Sequence, residues 1–289
     1  MEGSKNMATK TAISSNKRST TEEPQATTST VKSSSKGVRM TYKAFCKKLK
    51  KMPLIGAMIA EFIGTFLLIA AVFAVQGQPL YVAFVLVAIV LIVGRVSGAY
   101  VNPAMTIGAW VTQKIKCMHM IGYIVAQILG ALTAVATLNL FLKASTAVSA
   151  TGQSLFHAAS ITSFSSDKDW MLFFAELLGA TILALGIASV THIKKASITT
   201  AFSYGLAILI ALLFAGWATS SSLTEANTGL SFLNPAVAIA ANGISWNMWP
   251  IAIYAIAPAI GGVIGFAIQD FFKSQIDEEV CNCDCCEAK

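Results

Sequence analysis

Six long apolar segments, separated by shorter polar stretches, dominate the hydrophobic pattern of the chain. In order, they cover residues 54–75, 79–97, 118–142, 170–192, 197–218 and 248–270. A helix needs about 20 mostly apolar residues to cross a bilayer, so each segment is long enough for one crossing. The pattern therefore predicts an all-α membrane protein with six transmembrane helices.

Two shorter apolar stretches, residues 98–112 and 229–243, fit no complete crossing. Each contains an Asn-Pro-Ala triplet, which begins at Asn102 in the first and at Asn234 in the second. Asn is a favoured helix N-cap, and Pro is well tolerated at the first helical position. About ten helical residues follow in each case, enough for half of a bilayer. We therefore expect two half-helices that enter the membrane and stop.

The chain also contains an internal repeat. Ala-Glu-Phe-Ile-Gly-Thr around Glu61 opens the first apolar segment, and Ala-Glu-Leu-Leu-Gly-Ala around Glu176 opens the fourth. Each half reads span, span, half-helix, span, and three crossings per half force the halves to insert in opposite orientations. The predicted organisation is a membrane domain at 52–271, made of repeat one (52–142), a linker (143–169) and repeat two (170–271).

Charge is concentrated outside the apolar segments. Charged residues are 12% of the chain and hydrophobic residues 55%, whereas soluble domains average roughly 25% charged residues. Residues 1–51 hold 12 of the 21 lysines and arginines with three acidic residues, a local net charge of +9. This composition predicts a disordered basic arm and excludes a compact nucleic-acid-binding domain. With six spans, the excess of cations near one face places both termini in the cytosol.

These motifs resemble the aquaporins, or major intrinsic proteins. The resemblance covers about residues 53–270 and depends on the segment around Glu61, on Ser97-Gly98-Ala99-Tyr100-Val101-Asn102-Pro103-Ala104, and on Leu233-Asn234-Pro235-Ala236. It implies a homotetramer in the bilayer, each subunit a passive channel for water or small neutral solutes, with no enzymatic activity, cofactor or metal. It also implies that Glu61 and Glu176 support the backbone of the re-entrant loops.

Two re-entrant loops indicate a pore, because irregular polar backbone at membrane depth is tolerated only inside protein or beside a water-filled cavity. We expect the two triplets to line this pore, and we expect the amide N–H groups of both Asn side chains to donate to a passing oxygen. The positive ends of the half-helices would raise the energy of a cation there. The residues expected to line the pore are Asn102, Pro103, Ala104, Asn234, Pro235 and Ala236.

The predicted selectivity filter departs from the family. Members usually carry Arg directly after the second triplet, and this chain has Val237. Alignment to the family pattern assigns the other three filter positions to Val82, Leu212 and Ser231. Such a filter is apolar and lacks a fixed cation. The free-energy cost of losing hydration there would be smaller for less polar solutes than for water. Two substrate classes therefore stay open. The channel could conduct water, or it could conduct a broader set of solutes such as glycerol, urea, peroxide or ammonia.

Two alternatives from other functional classes also remain open. A poorly conducting member could serve as a membrane junction or scaffold, with its termini binding partners. A proton-coupled transporter could use Glu61 and Glu176, since carboxylates within apolar spans are costly and often functional. The membrane could be the plasma membrane or that of a vacuole or vesicle.

The predicted cytosolic tail, residues 272–289, is rich in cysteine and contains four of the six cysteines of the chain. Clustered cytosolic thiols can bind soft metals or carry palmitate. Their spacing matches no zinc-site pattern, which needs a second distant pair. A reduced, flexible tail is therefore at least as consistent with the sequence. The cysteines concerned are Cys281, Cys283, Cys285 and Cys286.

Overall fold

The computed structural model describes residues 53–144, 167–191, 197–220, 231–242, 244 and 247–287. All of them lie in one compact unit, Lys47–Lys289. The predicted basic arm (1–51) and most of the predicted linker (143–169) lie outside the described residues. The division into domains therefore stays a prediction.

The six predicted crossings are confirmed as helices that are long and apolar enough to span a membrane. The first repeat contains α1 (Pro53–Ala74), α2 (Pro79–Ser97), the half-helix α3 (Pro103–Val111) and α4 (Cys117–Ala144). The second contains α5 (Asp167–Ala188), α6 (Ile198–Ser220), the half-helix α7 (Pro235–Ala240) and a last span. That span is built from α8 (Met248–Ile251), a π-helical turn (Ala252–Ile256) and α9 (Ala257–Glu287).

The half-helices are shorter than predicted, above all in the second repeat. α3 has nine residues and α7 has six, against an expectation of about ten in each. α7 stops because Asn242 adopts a left-handed conformation with φ of 56°, which Asn tolerates better than most residues and which ends a helix. The C-terminal end of α7 is therefore a turn.

The last span differs from the prediction at two points. A π-helical turn precedes Pro258, which has no N–H and whose ring would clash with the carbonyl one turn earlier in a regular helix. α9 also continues to Glu287, well past the predicted end of the span at residue 270. No Gly or Pro follows Gly265 to interrupt it, so the helix includes the cysteine-rich segment through Glu287.

The two repeats interlock through their half-helices. α3 of the first repeat packs against α9 of the second, and α7 of the second packs against α4 of the first. α2 and α6 also pack against each other across the repeats. This exchange brings the N-termini of α3 and α7 together inside the helix bundle.

Glycines permit the closest helix crossings, and they do so at matching places in the two repeats. A Cβ on Gly130 of α4 would lie 2.5 Å from the Phe62 carbonyl oxygen of α1. A Cβ on Gly261 of α9 would likewise overlap the Leu177 carbonyl oxygen of α5. Phe62 and Leu177 each follow the glutamate of their repeat directly, so these crossings hold the two glutamates in equivalent positions.

Candidate functional site

Both triplet asparagines cap their half-helices in the same way. The Asn102 Oδ1 atom accepts a hydrogen bond from the Ala104 N–H at 2.9 Å, and the Asn234 Oδ1 atom accepts one from the Ala236 N–H at 2.9 Å. Both asparagines have extended backbone, and the proline that follows starts each helix. The amide group of each side chain is thereby oriented with its NH₂ away from its own helix.

The same two side chains also bond reciprocally across the repeats. The Asn102 Nδ2 atom donates to the Leu233 carbonyl oxygen at 2.8 Å, and the Asn234 Nδ2 atom donates to the Val101 carbonyl oxygen at 2.9 Å. Each acceptor is the residue directly before the opposite asparagine. The expectation that both N–H groups of each amide face the pore is therefore wrong, because one of the two is committed to the opposite loop.

The acceptor residues have strained backbone. Val101 has φ of 42° and Leu233 has φ of 55°, in the left-handed region that β-branched residues such as Val rarely occupy. Such conformations cost on the order of 1–3 kcal/mol and persist only when the surroundings enforce them. The strain turns the two carbonyls toward the opposite repeat, where the asparagines reach them.

The two glutamates supply the contacts that hold these loops. The Glu61 carboxylate accepts the N–H groups of Tyr100 and Val101 at 3.0 and 2.7 Å, and the Glu176 carboxylate accepts those of Phe232 and Leu233 at 2.6 and 2.8 Å. Both glutamates are fully buried. Charge-assisted hydrogen bonds of this kind are stronger than those between neutral groups. Neither glutamate lines the cavity that lies between the half-helices.

The first repeat has an additional polar contact that the second lacks among the described residues. The Gln127 Nε2 atom donates to Glu61 at 2.7 Å and to the Thr106 hydroxyl at 2.9 Å. Gly130 and Gly261 occupy matching crossings, so the residue that corresponds to Gln127 is Pro258, which has no side-chain donor. Gln127 was not among the residues predicted from the sequence, although its polar side chain within an otherwise apolar span marks it as a candidate.

A narrow cavity runs between the half-helices and the surrounding spans. Its volume is about 60 Å³, and a buried water needs roughly 10–15 Å³, so the cavity has room for a few waters. Of the residues in the two triplets, Asn102 and Asn234 line this cavity. The other four triplet residues are buried in the first turns of α3 and α7, namely Pro103, Ala104, Pro235 and Ala236.

All four predicted filter residues lie on this cavity: Val82, Leu212, Ser231 and Val237. Most of the remaining wall is aliphatic. Tyr100 and Tyr204, which were not among the predicted pore residues, also line it. Phe232 and Gly77 line it too. The aliphatic wall residues besides those of the filter are Leu68, Val72, Leu86, Val101, Leu183, Ile187 and Ile208.

The arrangement can orient a small molecule that carries an acceptor oxygen. Asn102 and Asn234 are only 3% and 4% exposed, and each retains one amide N–H after its cross-repeat bond. The apolar wall offers few alternatives to these donors. Within the described residues, no group of three or more His, Cys, Asp or Glu side chains is placed to hold a metal ion.

Comparison with known proteins gives a consistent result. The family model for the major intrinsic proteins matches residues 47–268. Aquaporin AqpM of Methanothermobacter thermautotrophicus is 31% identical over 193 residues, which cover 66% of this chain and 74% of that protein. The glycerol uptake facilitator protein-like 6 of Lactiplantibacillus plantarum is 29% identical, over 71% of this chain and 93% of that protein.

A solved structure shares the fold. The X-ray structure of the aquaglyceroporin from Plasmodium falciparum superposes with a TM-score of 0.56 at 23% identity, over 75% of this chain and 96% of that one. Sequence match, six membrane-spanning helices and shared fold agree. The chain belongs to the major intrinsic protein family, and it is an integral multi-pass membrane protein that forms a passive channel for water, small solutes or both, and not an enzyme.

Proposed function

We propose that this channel conducts small neutral solutes through the cavity between α3 and α7, and that Asn102 and Asn234 are its central selectivity element. The observation that carries the proposal is the pair of reciprocal bonds from Asn102 to Leu233 and from Asn234 to Val101. These bonds fix both amides while leaving one donor of each beside the cavity. A neutral molecule with an acceptor oxygen can pass by exchanging hydrogen bonds with them.

Ions and protons are excluded at the same place. A cation that enters the apolar cavity loses hydration and finds N–H donors where it needs acceptors. The N-terminus of α3, nine residues long, adds a positive partial charge at the asparagines. α7 has only six residues, so its field is weaker than the sequence-based expectation, and the two amides carry more of the exclusion. A water that accepts from both amides cannot continue a chain of proton transfer.

Val82, Leu212, Ser231 and Val237 form the filter in this proposal. Three of these four side chains are aliphatic, so the filter provides little to replace the hydration of water and imposes less cost on solutes with apolar surface. Relatives described as an aquaporin and as a glycerol uptake facilitator are 31% and 29% identical, so overall similarity does not choose between them. The apolar filter favours small neutral solutes such as glycerol over selective conduction of water.

Glu61 and Glu176 act as supports of the loops and not as proton carriers. All four carboxylate oxygens accept backbone N–H groups, at 2.6–3.0 Å. A proton carrier must exchange protons with the transport path, and neither glutamate lines the cavity. These contacts favour the channel over the proton-coupled transporter.

The proposed assembly is a homotetramer with both termini in the cytosol. Arg95, Lys114 and Lys116 lie at or after the C-terminal ends of α2 and α3, on the face from which α1 starts, and an excess of lysine and arginine favours the cytosolic side. The tetramer is the assembly expected of the family. Chemical crosslinking of the purified channel checks the subunit number, and protease accessibility of a terminal tag checks the orientation.

Stopped-flow light scattering on proteoliposomes tests the proposed function. Vesicles with purified protein are exposed in turn to inward gradients of sucrose, glycerol and urea, and to a proton gradient read by an internal pH dye. The expected result is glycerol and urea flux above that of empty vesicles, with no proton leak. If no solute or water moves faster than through empty vesicles, the chain is not a functional channel, and the scaffold alternative is favoured. Flux that requires an ion gradient would establish a transporter.

A further inference from the structure

The wall of the cavity follows the internal repeat. Leu68 and Val72 of α1 line it, and Leu183 and Ile187 of α5 line it as well. Leu68 follows Glu61 by the same number of residues as Leu183 follows Glu176, and the spacings of Val72 and Ile187 are likewise equal. The two ends of the cavity are therefore related by the same two-fold symmetry that relates the two repeats.

The symmetry can be followed through α2 and α6. These helices cross where a Cβ on Gly205 would lie 2.9 Å from the Ala83 carbonyl oxygen. Val82 directly precedes Ala83, and Tyr204 directly precedes Gly205. Val82, one of the filter residues, therefore corresponds to Tyr204 in the other repeat. The filter end thus has the small aliphatic Val82 at this position, and the opposite end has the aromatic Tyr204.

The position of Tyr204 along the cavity supports this assignment. Tyr204, Ile208 and Leu212 all line the cavity from one face of α6, at the four-residue spacing of a helix face. Eight residues of helix rise by about 12 Å, and this rise separates Tyr204 from the filter residue Leu212. Tyr204 thus lies at the far end of the cavity from the filter.

The Tyr204 side chain reaches from α6 to the first re-entrant loop. Its hydroxyl donates to the Gly98 carbonyl oxygen at 3.0 Å, and the residue is only 3% exposed. Gly98 has φ of 96°, and a Cβ there would lie 3.1 Å from the Tyr100 ring, so the ring of Tyr100 packs directly on Gly98. The Tyr100 ring is also in contact with Tyr123, with centroids 6.2 Å apart. Both tyrosines are held in place at this end.

We propose that Tyr100 and Tyr204, the tyrosine pair, form a second constriction opposite the filter and set the largest solute that the channel conducts. The inference rests on the proposed function, because it assumes conduction through this cavity. The filter contains two valines, a leucine and a serine. Phe232, which lies next to Ser231 and corresponds to Tyr100 as a backbone donor to the glutamate of its repeat, also lines that end. The two ends therefore differ by Tyr204 in place of Val82, which gives two aromatic rings at the end opposite the filter and one at the filter end. Tyr204 cannot swing away without breaking its bond to Gly98, so it limits the opening more firmly than an unbonded side chain would.

The test compares two substitutions at symmetry-related positions, Tyr204→Ala and Val82→Ala. Each variant is reconstituted in proteoliposomes, and the influx of sorbitol is divided by that of the smaller polyol glycerol. Tyr204→Ala is expected to raise this ratio severalfold, whereas Val82→Ala alters total flux and leaves the ratio close to that of the unmodified chain. A raised ratio for Val82→Ala with an unchanged ratio for Tyr204→Ala would place the size limit at the filter and overturn the inference.

A second variant separates the ring from its hydrogen bond and covers the case that the alanine variant does not fold. Tyr204→Phe retains the ring and removes the bond to the Gly98 carbonyl oxygen. The expected sorbitol-to-glycerol ratio lies above that of the unmodified chain and below that of Tyr204→Ala. An unchanged ratio for Tyr204→Phe would reject the role of the hydrogen bond. Absence of glycerol flux in the unmodified chain would instead reject the proposed function, so the two failures are distinguishable.

Discussion

The Asn102 side chain donates a 2.8 Å hydrogen bond to the carbonyl oxygen of Leu233, the residue directly before Asn234. The converse bond joins Asn234 to Val101, so each repeat completes the site of the other. A buried amide bonded to strained backbone has few alternative partners, and its loss leaves groups unsatisfied on both sides. The two loops therefore form one cooperative unit at the centre of the channel.

Replacing Asn102 by aspartate removes both amide donors from this unit. An ionised carboxylate would lie against the Leu233 carbonyl oxygen, and a negative charge beside the cavity would attract cations. We expect Asn102→Asp to lower glycerol flux severalfold and to raise proton leak, as measured by stopped-flow scattering and an internal pH dye. Asn242→Asp is the matched control, because Asn242 is exposed in the turn after α7. Equal effects of the two substitutions would contradict a special role for Asn102.

Introducing arginine at Val237 tests the apolar filter. Val237 lines the cavity with Val82 and Leu212, and a longer cationic side chain would both narrow this end and provide donors for water. Val237→Arg is expected to reduce glycerol and urea flux severalfold while retaining water flux. Val237→Leu serves as the control that adds bulk without charge. Solute flux that is unchanged in Val237→Arg would mean that Val237 does not belong to the filter.

Removing the carboxylate of Glu176 should destabilise the fold of the channel. Glu176→Ala leaves the buried N–H groups of Phe232 and Leu233 without acceptors, at a cost of about 1–3 kcal/mol for each group. We expect a lower thermal midpoint in detergent and reduced solute flux, without any new dependence on a proton gradient. Glu225→Ala, at an acidic residue outside the described structure, is the comparison. If Glu176→Ala kept the thermal midpoint and lost only proton-driven flux, a transporter would be indicated.

The glycine crossings give a stability prediction with an internal control. A Cβ on Gly261 would overlap the Leu177 carbonyl oxygen, whereas a Cβ on Gly216 of α6 meets nothing within 4 Å. Gly261→Ala is therefore expected to lower the thermal midpoint. Gly216→Ala is expected to be neutral or stabilising by about 0.5–1 kcal/mol, because alanine loses less backbone entropy in a helix. Thermal unfolding in detergent, followed by circular dichroism, measures both, and equal midpoints would contradict the close crossing.

Local patterns in the sequence were sufficient for the six spans and for the start of each half-helix. Hydrophobic length is a property of a contiguous segment, and the Asn-Pro start of α3 and α7 is satisfied within a few residues. The length of α7 was overestimated because the left-handed turn at Asn242 outweighed the apolar residues around it. Nothing local interrupts α9 before Glu287, so the helix continues past the predicted end of the last span at residue 270.

The sequence by itself determined the number of crossings, the inverted repeat and the valine that directly follows the second Asn-Pro-Ala triplet, because each depends on residue type and order alone. Only the tertiary structure decided which amide hydrogens of Asn102 and Asn234 are already bonded, since their acceptors lie in the opposite repeat. It also decided that Tyr204 reaches Gly98. These pairings join residues more than 100 positions apart, and their geometry depends on how the two halves pack and not on any local pattern.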